Sequence, residues 1–273
     1  MNQNKPLHIN WLVDTKERLT TSEGKEVVVL EFQHKNDPTI LSDWAKNFRN
    51  HYCLDSEIDF FRKGYGFTRS EYLNKIKFPD QSVAPGPSIR SGDFGEILMA
   101  DYLEYSLNYW VPRTRYGNKT IRNESTKGSD ILGFKFVNVN NESSEDTLAI
   151  FESKSQFSGS PTSRLQDAVN DSGSKDQLRK AESLNAIKQR LHDANLNQDA
   201  ERIERFQNPI DNPYKEISGA VALFSTHLFD MNLTTNTVTN GHPNKNQLVL
   251  IVIKGNNMMD LVHDLYRRAA NEA

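Results

Sequence analysis

The stretch that decides the fold runs from Lys127 to Gln156 and reads KGSDILGFKFVNVNNESSEDTLAIFESKSQ. It contains two apolar runs, residues 131–137 and 148–151, with the polar segment 138–147 between them. Apolar runs of this length on both sides of a polar segment predict two β-strands joined by a turn. The stretch is therefore predicted to form a β-hairpin.

Charged residues begin and end this hairpin. Asp130 comes directly before the first run, and Glu152 follows the second run 22 positions later, with Lys154 just beyond it. If segment 138–147 is the turn, paired residues have numbers that sum to about 285, and Asp130 lies opposite residue 155. Side chains alternate along a strand, so Glu152 and Lys154 point to the same face. The pattern predicts two carboxylates and an amine together at one edge of the sheet.

Two carboxylates and an amine suit the hydrolysis of a phosphodiester. The carboxylate oxygens of Asp130 and Glu152 are ligands that Mg²⁺, or Mn²⁺ in its place, takes together with phosphate oxygens and waters. Such a metal lowers the pKa of a bound water and stabilises the charge of the transition state. Lys154 would orient or deprotonate that water, and Gln156, one alternate position further along, would support the scissile phosphate. The residues favour a metal-dependent nuclease in which Asp130, Glu152 and Lys154 are catalytic.

Glu96 is the candidate for a third metal ligand. Residues 91–107 carry apolar side chains at helical spacing, which predicts a helix that begins near Ser91. The spacing of Asp93 and Glu96 is also that of a capping box, in which Glu96 would only satisfy backbone donors at the N-terminus of this helix. The sequence leaves both roles of Glu96 open.

Six basic residues surround the predicted centre. On a nucleic-acid-binding protein they would contact phosphates, with Tyr116 available to stack on a base. A solvated rim of the domain is the alternative for each of them. The six are Arg90, Arg113, Arg115, Lys119, Arg122 and Lys127.

The composition excludes several other classes of protein. The chain has 273 residues, a net charge of −3 and one cysteine, Cys53. One cysteine allows neither a disulfide framework nor a cysteine-based zinc site, and no apolar run reaches the ~18 residues of a transmembrane helix. Residues 1–10 lack the order of a secretory signal. We therefore expect a cytoplasmic protein, in which DNA binding would depend on local basic clusters and not on net charge.

The chain is predicted to have two parts. Residues 1–77 would form an α+β subdomain that packs on the rest of the protein or binds a partner. The Pro-rich segment 78–87 begins the second part, a nuclease-like domain over residues 78–273. The elements predicted in the first part are two strands within 7–33, a helix over 39–52 and short helices near 56–62 and 68–75.

Beyond residue 90, the order of predicted elements is α-β-β-β-α-β-β-α. That order predicts an α/β (α+β) fold in which a mixed sheet is flanked by helices. The segment 158–174, rich in Ser and Gly, is predicted to be a loop, and the apolar run 247–253 a central strand. The remaining predicted elements are the helix 91–107, the strands 108–116, 131–137, 148–151 and 219–226, and the helices 175–206 and 256–271.

Asp130, the Glu152-x-Lys154 pair and Glu96 resemble the motif of the PD-(D/E)xK nuclease superfamily. Ser129 stands where the proline of the motif is usual, a substitution that the superfamily tolerates. The resemblance implies a restriction-endonuclease-like fold. It also implies that Glu96, Asp130 and Glu152 are the metal ligands and that Lys154 is the catalytic lysine.

Four segments resemble the HamA family more closely. This resemblance implies that the chain is the nuclease subunit of the bacterial Hachiman anti-phage defence system, with DNA as its substrate. It further implies a HamB-like helicase as partner, whose action on DNA releases or activates the nuclease. A catalytically silent nucleic-acid-binding or scaffold subunit, and an RNase, are the alternatives. The four segments are 78–79, 86–96, 113–119 and 123–134.

Overall fold

Six strands form one mixed sheet in the computed structural model, which describes residues 5–126, 128–174 and 176–273. They are β1 (Leu12–Thr20), β2 (Glu26–Phe32), β3 (Ile131–Lys135), β4 (Thr147–Gln156), β5 (Lys215–Ser225) and β6 (Leu248–Gly255). The order across the sheet is β1-β2-β6-β5-β4-β3. The four middle strands are parallel, and an antiparallel strand completes each edge. The predicted mixed sheet flanked by helices is confirmed.

The apolar run 247–253 forms most of β6, which lies between β2 and β5 in the middle of the sheet. A strand covered on both faces must be apolar on both faces, and this explains its nearly continuous apolar sequence. The central position predicted for this run is therefore confirmed.

Helices cover both faces of the sheet. The described ones are α1 (Pro38–Tyr52), α2 (Ile58–Arg62), α3 (Arg69–Tyr72), α4 (Gly86–Tyr105), α5 (Arg164–Ser174), α6 (Asp176–Asp193), α7 (Asn197–Glu204), α8 (Met231–Thr235) and α9 (Met258–Asn271). Short 3-10 turns occur at Leu7–Trp11, Lys63–Tyr65, Thr226–Leu228 and Lys245–Gln247, and a π turn at Leu73–Lys77. The first predicted strand was expected to include residues 7–11, but these residues form a 3-10 turn, and β1 begins only at Leu12.

The two faces of β4 pack against different helices. Phe151 belongs to the apolar cluster that contains Phe94 of α4, together with side chains of α1 and α9. Ile150 belongs to the cluster formed with Leu184 of α6 and with α7. Since side chains alternate along a strand, Glu152 lies on the same face as Ile150, opposite the face that α4 covers.

Helix α4 begins at Gly86, five residues earlier than the sequence predicts. Proline is tolerated in the first turn of a helix, because its missing N–H would have no partner there, and Pro87 occupies that turn. Asp93 and Glu96 consequently lie in the interior of α4, where neither caps its N-terminus. The capping-box interpretation is therefore wrong.

The loop predicted over 158–174 is also wrong, because α5 occupies most of it. Its Ser and Gly content indicated a loop, but Leu165, Ala168 and Val169 recur at helical spacing. All three are buried against the sheet. Burial of this apolar stripe outweighs the low helix propensity of the other residues.

Two further predicted elements differ from the structure. Segment 108–116 is not a strand, since Trp110 forms only an isolated bridge with Phe134. The single helix predicted over 175–206 is divided into α6 and α7. Between them, Asn195 has a φ of 60°, the left-handed conformation that ends many helices.

Residues on both sides of position 78 contribute to one sheet and one core. Strand β2 pairs in parallel with β6 from Val27 to Phe32. Trp44 of α1 and Phe94 of α4 belong to the same buried cluster. The division into residues 1–77 and 78–273 stays a prediction about the organisation of the chain.

Candidate functional site

The hairpin brings Asp130 and Glu152 together. The register pairs Ile131 with Phe151, so paired residues have numbers that sum to 282 and Asp130 lies in line with Glu152. The predicted sum was too large because the connection begins directly after Lys135, earlier than the apolar sequence suggests. The backbone N–H of Ser153 donates to Oδ2 of Asp130 over 3.1 Å. Asp130 is thus attached to the strand that carries Glu152.

Lys154 lies beside Glu152 on the same face of β4. Its Nζ is 2.5 Å from Oε1 of Glu152 and 2.9 Å from Oδ2 of Asp171 on α5. Burial alone would lower the pKa of Lys154, but the charge of Glu152 outweighs it and raises the pKa above its ordinary value. Glu152 itself is only 3% exposed. The amine therefore neutralises two carboxylates from different elements.

Asp171 is a member of this group that the sequence prediction missed. It lies on α5, in the segment predicted to be a loop. The helical spacing of Leu165, Ala168 and Val169 would have placed Asp171 on a helix. Its position above β4 follows from the packing of α5 on the sheet, which local sequence does not reveal.

Glu96 approaches Asp130 through a shared arginine. The Nε of Arg115 is 3.0 Å from Oε2 of Glu96, and its Nη2 donates to Oδ1 of Asp130 over 2.9 Å. The hydroxyl of Tyr116 donates to the same Oε2 of Glu96 over 2.5 Å. Burial, opposed by the charge of Arg115 and helped by the nearby charge of Asp130, raises the pKa of Glu96 to about 8. One guanidinium thus joins two of the three predicted metal ligands.

Arg115 also holds the loop that carries Asp130. Its Nη1 donates to the carbonyl oxygen of Ser129, and its Nη2 donates to that of Thr126 over 3.2 Å. Burial would lower the pKa of Arg115, but the charges of Glu96 and Asp130 outweigh it and raise the pKa. The side chain predicted to bind phosphate is therefore engaged inside the protein.

The other predicted phosphate-binding residues are also engaged, within the part of the chain that the structure describes. Lys127 lies outside the described residues. The ring of Tyr116 is buried, so it is not available for stacking on a base. The partners are the carbonyl oxygen of Pro79 for Arg90 at 2.7 Å, Asp101 and Glu104 for Arg113 at 2.7 and 2.6 Å, Asp93 for Lys119 at 2.8 Å, and Asp80 for Arg122 at 2.8 Å.

Gln156 fixes the segment that follows β4. Its amide nitrogen donates to the carbonyl oxygen of Ser160, and its Oε1 accepts from the backbone N–H of Thr162 over 3.1 Å. The hydroxyl of Thr162 donates to the same oxygen over 3.0 Å. The contacts of Gln156 therefore define a turn, while its predicted contact with a phosphate stays a prediction.

Carboxylate oxygens are ligands of the type that a hard cation prefers, but few of them lie together at this site. Among the described residues, no group of three His, Cys, Asp or Glu is arranged to hold a metal ion. Glu96 comes from the helix on the opposite face of β4 from Glu152, and Arg115 joins it to Asp130. Asp130, directly before β3, and Glu152, on β4, supply two carboxylates. Mg²⁺ commonly takes one or two carboxylates and completes its shell with waters and phosphates.

The comparison with protein families covers nearly the whole chain. The sequence model of the HamA family matches residues 7–269. The chain belongs to the HamA family. HamA is a component of Hachiman defence, and the predicted resemblance is thereby confirmed. No curated protein gives a significant match.

The HamA match includes both the N-terminal strands and the site around Asp130. It begins before β1 and ends within α9, so the six-stranded sheet lies inside it. Among the described helices, none has the length and apolar character needed to cross a membrane.

A cavity of about 220 Å³ adjoins the carboxylates. Segment 111–116 and α4 form one side, and loop 128–132 and α6 form the other. Glu96 and Asp130 both line it. Both carboxylates can therefore be approached through this cavity.

Proposed function

We propose that the chain is a metal-dependent endodeoxyribonuclease, the effector of a Hachiman defence system. The observation that carries the proposal is the alignment of Asp130 with Glu152, with the amine of Lys154 beside them. Family membership supports the biological setting. The active centre in this proposal is the end of β4 together with the loop that carries Asp130.

The metal would be Mg²⁺, or Mn²⁺ in its place, held by Asp130 and Glu152. When bound, it would supply an activated water and stabilise negative charge on the phosphate. Glu96 is the third carboxylate of the proposal, since it shares the guanidinium of Arg115 with Asp130. The type of donor supports a hard cation, because all three groups offer carboxylate oxygens.

Two further side chains, Lys154 and Arg115, would neutralise the phosphate and position Asp130. Lys154 brings a positive charge to the end of β4, where charge on a phosphate would develop. Arg115 holds Asp130 by its side chain and by two carbonyl oxygens of its loop. This arrangement orients the carboxylate before any substrate arrives, which is how a preorganised site lowers the cost of reaction.

DNA is the proposed substrate, and a HamB-like helicase is the proposed partner in a heterodimer. Membership in the HamA family supports both proposals, whereas the contacts of the site do not identify either one. The helicase would release or activate the nuclease when it acts on DNA.

A catalytically silent subunit is the second candidate. The observation that favours it is that Arg115 and Lys154 already neutralise the carboxylates. Such a subunit would retain the fold for binding nucleic acid or for supporting the helicase.

The test is incubation with plasmid DNA, and separately with RNA, in Mg²⁺, Mn²⁺ or EDTA, with and without the helicase. We expect DNA cleavage that requires the metal and falls by about 100-fold or more in Glu152→Ala and Lys154→Ala. Cleavage that survives both substitutions would refute the site, and cleavage of RNA alone would make the chain an RNase.

A matched control is available on the neighbouring strand. Lys180 and Glu216 form an ion pair of similar length, 2.7 Å, near the opposite end of β5. Lys180→Met and Glu216→Gln remove a comparable pair, so they should leave cleavage unchanged. Binding of DNA without cleavage under every condition would favour the silent subunit.

A further inference from the structure

The cavity beside Asp130 has a form that catalysis at β4 does not explain. Its volume of about 220 Å³ lies somewhat below the usual range for ligand pockets, ~300–1,000 Å³. Apolar side chains form much of its wall, among them Ile97, Val111, Leu132 and Ile187. An apolar wall next to charged groups suits a ligand with a flat apolar part and a charged part.

Arg190 lines this cavity from α6 and carries an unmatched charge. Its side chain is partly buried and makes no hydrogen bond or ion pair with any described residue. Burial lowers the pKa of Arg190, and the positive charge of Arg115 lowers it further. A cation that is partly removed from water without a counter-charge is unfavourable. An anion beside Arg190 would relieve that cost.

Other charges around the cavity are already matched or lie at its rim. Glu96 and Asp130 share the guanidinium of Arg115, and Arg113 pairs with Asp101. Glu182 is exposed and can reach solvent. Arg190 is thus the cavity's distinctive anchor for an anion among the residues described.

We infer that the cavity binds one nucleotide, with its base against the apolar wall and its phosphate on Arg190. A guanidinium matches the geometry of a phosphate and can donate two hydrogen bonds to it. This inference rests on the proposed function, and it identifies the nucleotide next to the scissile phosphate as the ligand. The same chemistry is offered by a free nucleotide, so the two sources must be separated by experiment.

Binding can be measured without cleavage. A fluorescent eight-nucleotide DNA strand is titrated with the full chain in EDTA, and anisotropy gives its Kd. Thymidine 5′-monophosphate and inorganic phosphate then serve as competitors. Arg190→Ala should weaken binding by about tenfold, and Arg190→Lys should weaken it less, because an amine keeps the charge but loses the fork of donors.

Two further variants make the test specific. Ala186→Trp places a large side chain in the cavity from a partly exposed position of α6, and it should also weaken binding. Lys188→Ala is the control, since Lys188 lies on the same helix but pairs with Glu204 at 2.6 Å. Thermal unfolding of each variant shows whether the fold is retained.

Each outcome decides one point. Binding of the DNA strand identifies the substrate as the source. Direct binding of thymidine 5′-monophosphate, measured by calorimetry, with no binding of the strand identifies a free nucleotide. Both results support the inference. Inorganic phosphate that competes as well as the mononucleotide would refute a site for the base. Equal Kd values for Arg190→Ala and Lys188→Ala would overturn the inference altogether. Arg190-dependent binding by a protein that never cleaves DNA would refute the nuclease and leave the nucleotide site standing.

Discussion

Helix α4 carries two buried carboxylates three residues apart, Asp93 and Glu96, and their surroundings differ. Asp93 accepts from the hydroxyl of Tyr52 over 2.7 Å and from Lys119 over 2.8 Å. Its side chain and that of Lys119 are each 4% exposed. Glu96 is 14% exposed, lines a cavity and pairs with Arg115.

Burial raises the pKa of both carboxyl groups, so an altered pKa does not separate them. The difference lies in the contacts of the basic residue that pairs with each carboxyl group. Lys119 pairs with Asp93 in the closed interior, whereas Arg115 pairs with both Glu96 and Asp130, which lie on different elements. Perturbed carboxyl groups therefore mark a candidate site only where they are also accessible and connected to further functional groups. We interpret Asp93 as structural and Glu96 as functional.

The largest expected effect comes from breaking the structural pair. Lys119→Met leaves the carboxylate of Asp93 buried without its cation, which should lower the free energy of unfolding by about 3–5 kcal/mol. Urea denaturation measures the change. Adding Asp93→Asn to this variant removes the unpaired charge and should recover part of the loss. A double variant less stable than Lys119→Met would contradict the structural role of the pair.

The next largest effect is expected on DNA cleavage, when Glu96 and Asp93 are each replaced by the corresponding amide. Glu96→Gln keeps the shape of the side chain but cannot ionise to bind a cation, and it should lower DNA cleavage by about 100-fold, or about 2.7 kcal/mol. Asp93→Asn should change cleavage little in the protein that remains folded. Initial rates of plasmid cleavage, normalised to the folded fraction, provide the measurement. Similar losses in both variants would remove the distinction between the two sites.

Sequence alone predicts the local part of this arrangement. The apolar runs around 138–147 give the hairpin, and alternation puts Glu152 and Lys154 on one face. Periodicity also places Glu96 on a helix before the hairpin. These features depend on neighbours in the chain, so they can be recognised from their order.

The rest depends on contacts between distant residues. The start of α4 was missed because Pro87 is compatible with a first helical turn. The use of Arg115 as a clamp and the approach of Asp171 to Lys154 follow from the packing of three elements. No local pattern distinguishes an arginine that will meet two carboxylates from one that will meet phosphate.

A smaller effect on the free energy of unfolding should appear when the pH is lowered. It arises near Asp101, a third acidic residue of α4, which pairs with Arg113 at 2.7 Å. His51 lies nearby, and burial followed by the charge of Arg113 lowers its pKa from 6.5 to about 4. Below pH 6.5, the unfolded chain binds a proton at His51 that the folded chain does not bind until about pH 4. Stability is therefore lost as the pH falls through this range, by about 2 kcal/mol at pH 5.

The contribution of His51 is isolated by His51→Gln, which does not titrate. The free energy of unfolding is measured at pH 7 and pH 5 for both proteins. The wild type should lose about 2 kcal/mol more than the variant over this interval. The same pH dependence in the wild type and in His51→Gln would show that folding does not lower the pKa of His51.

The smallest expected effect tests how α4 presents Glu96. A Cβ at Gly95 would overlap Oγ of Ser155 on β4 and lie 3.3 Å from Cδ1 of Leu223, so the helix lies close against the sheet there. Gly95→Ala gains helix propensity but overpacks this contact, for a net loss of about 1 kcal/mol. Ser155→Ala removes the overlapping oxygen, which has no hydrogen-bond partner among the described residues.

The double variant should therefore be more stable than Gly95→Ala alone, as urea denaturation would reveal. The same single substitution should also lower cleavage, because moving α4 away from β4 separates Glu96 from Asp130. Asp93 lies about one turn before Glu96 on α4, where it pairs with Lys119 in the interior. A Gly95→Ala protein that keeps full activity would mean that the position of Glu96 relative to the sheet does not matter, and Glu96 would then be structural in the same sense as Asp93.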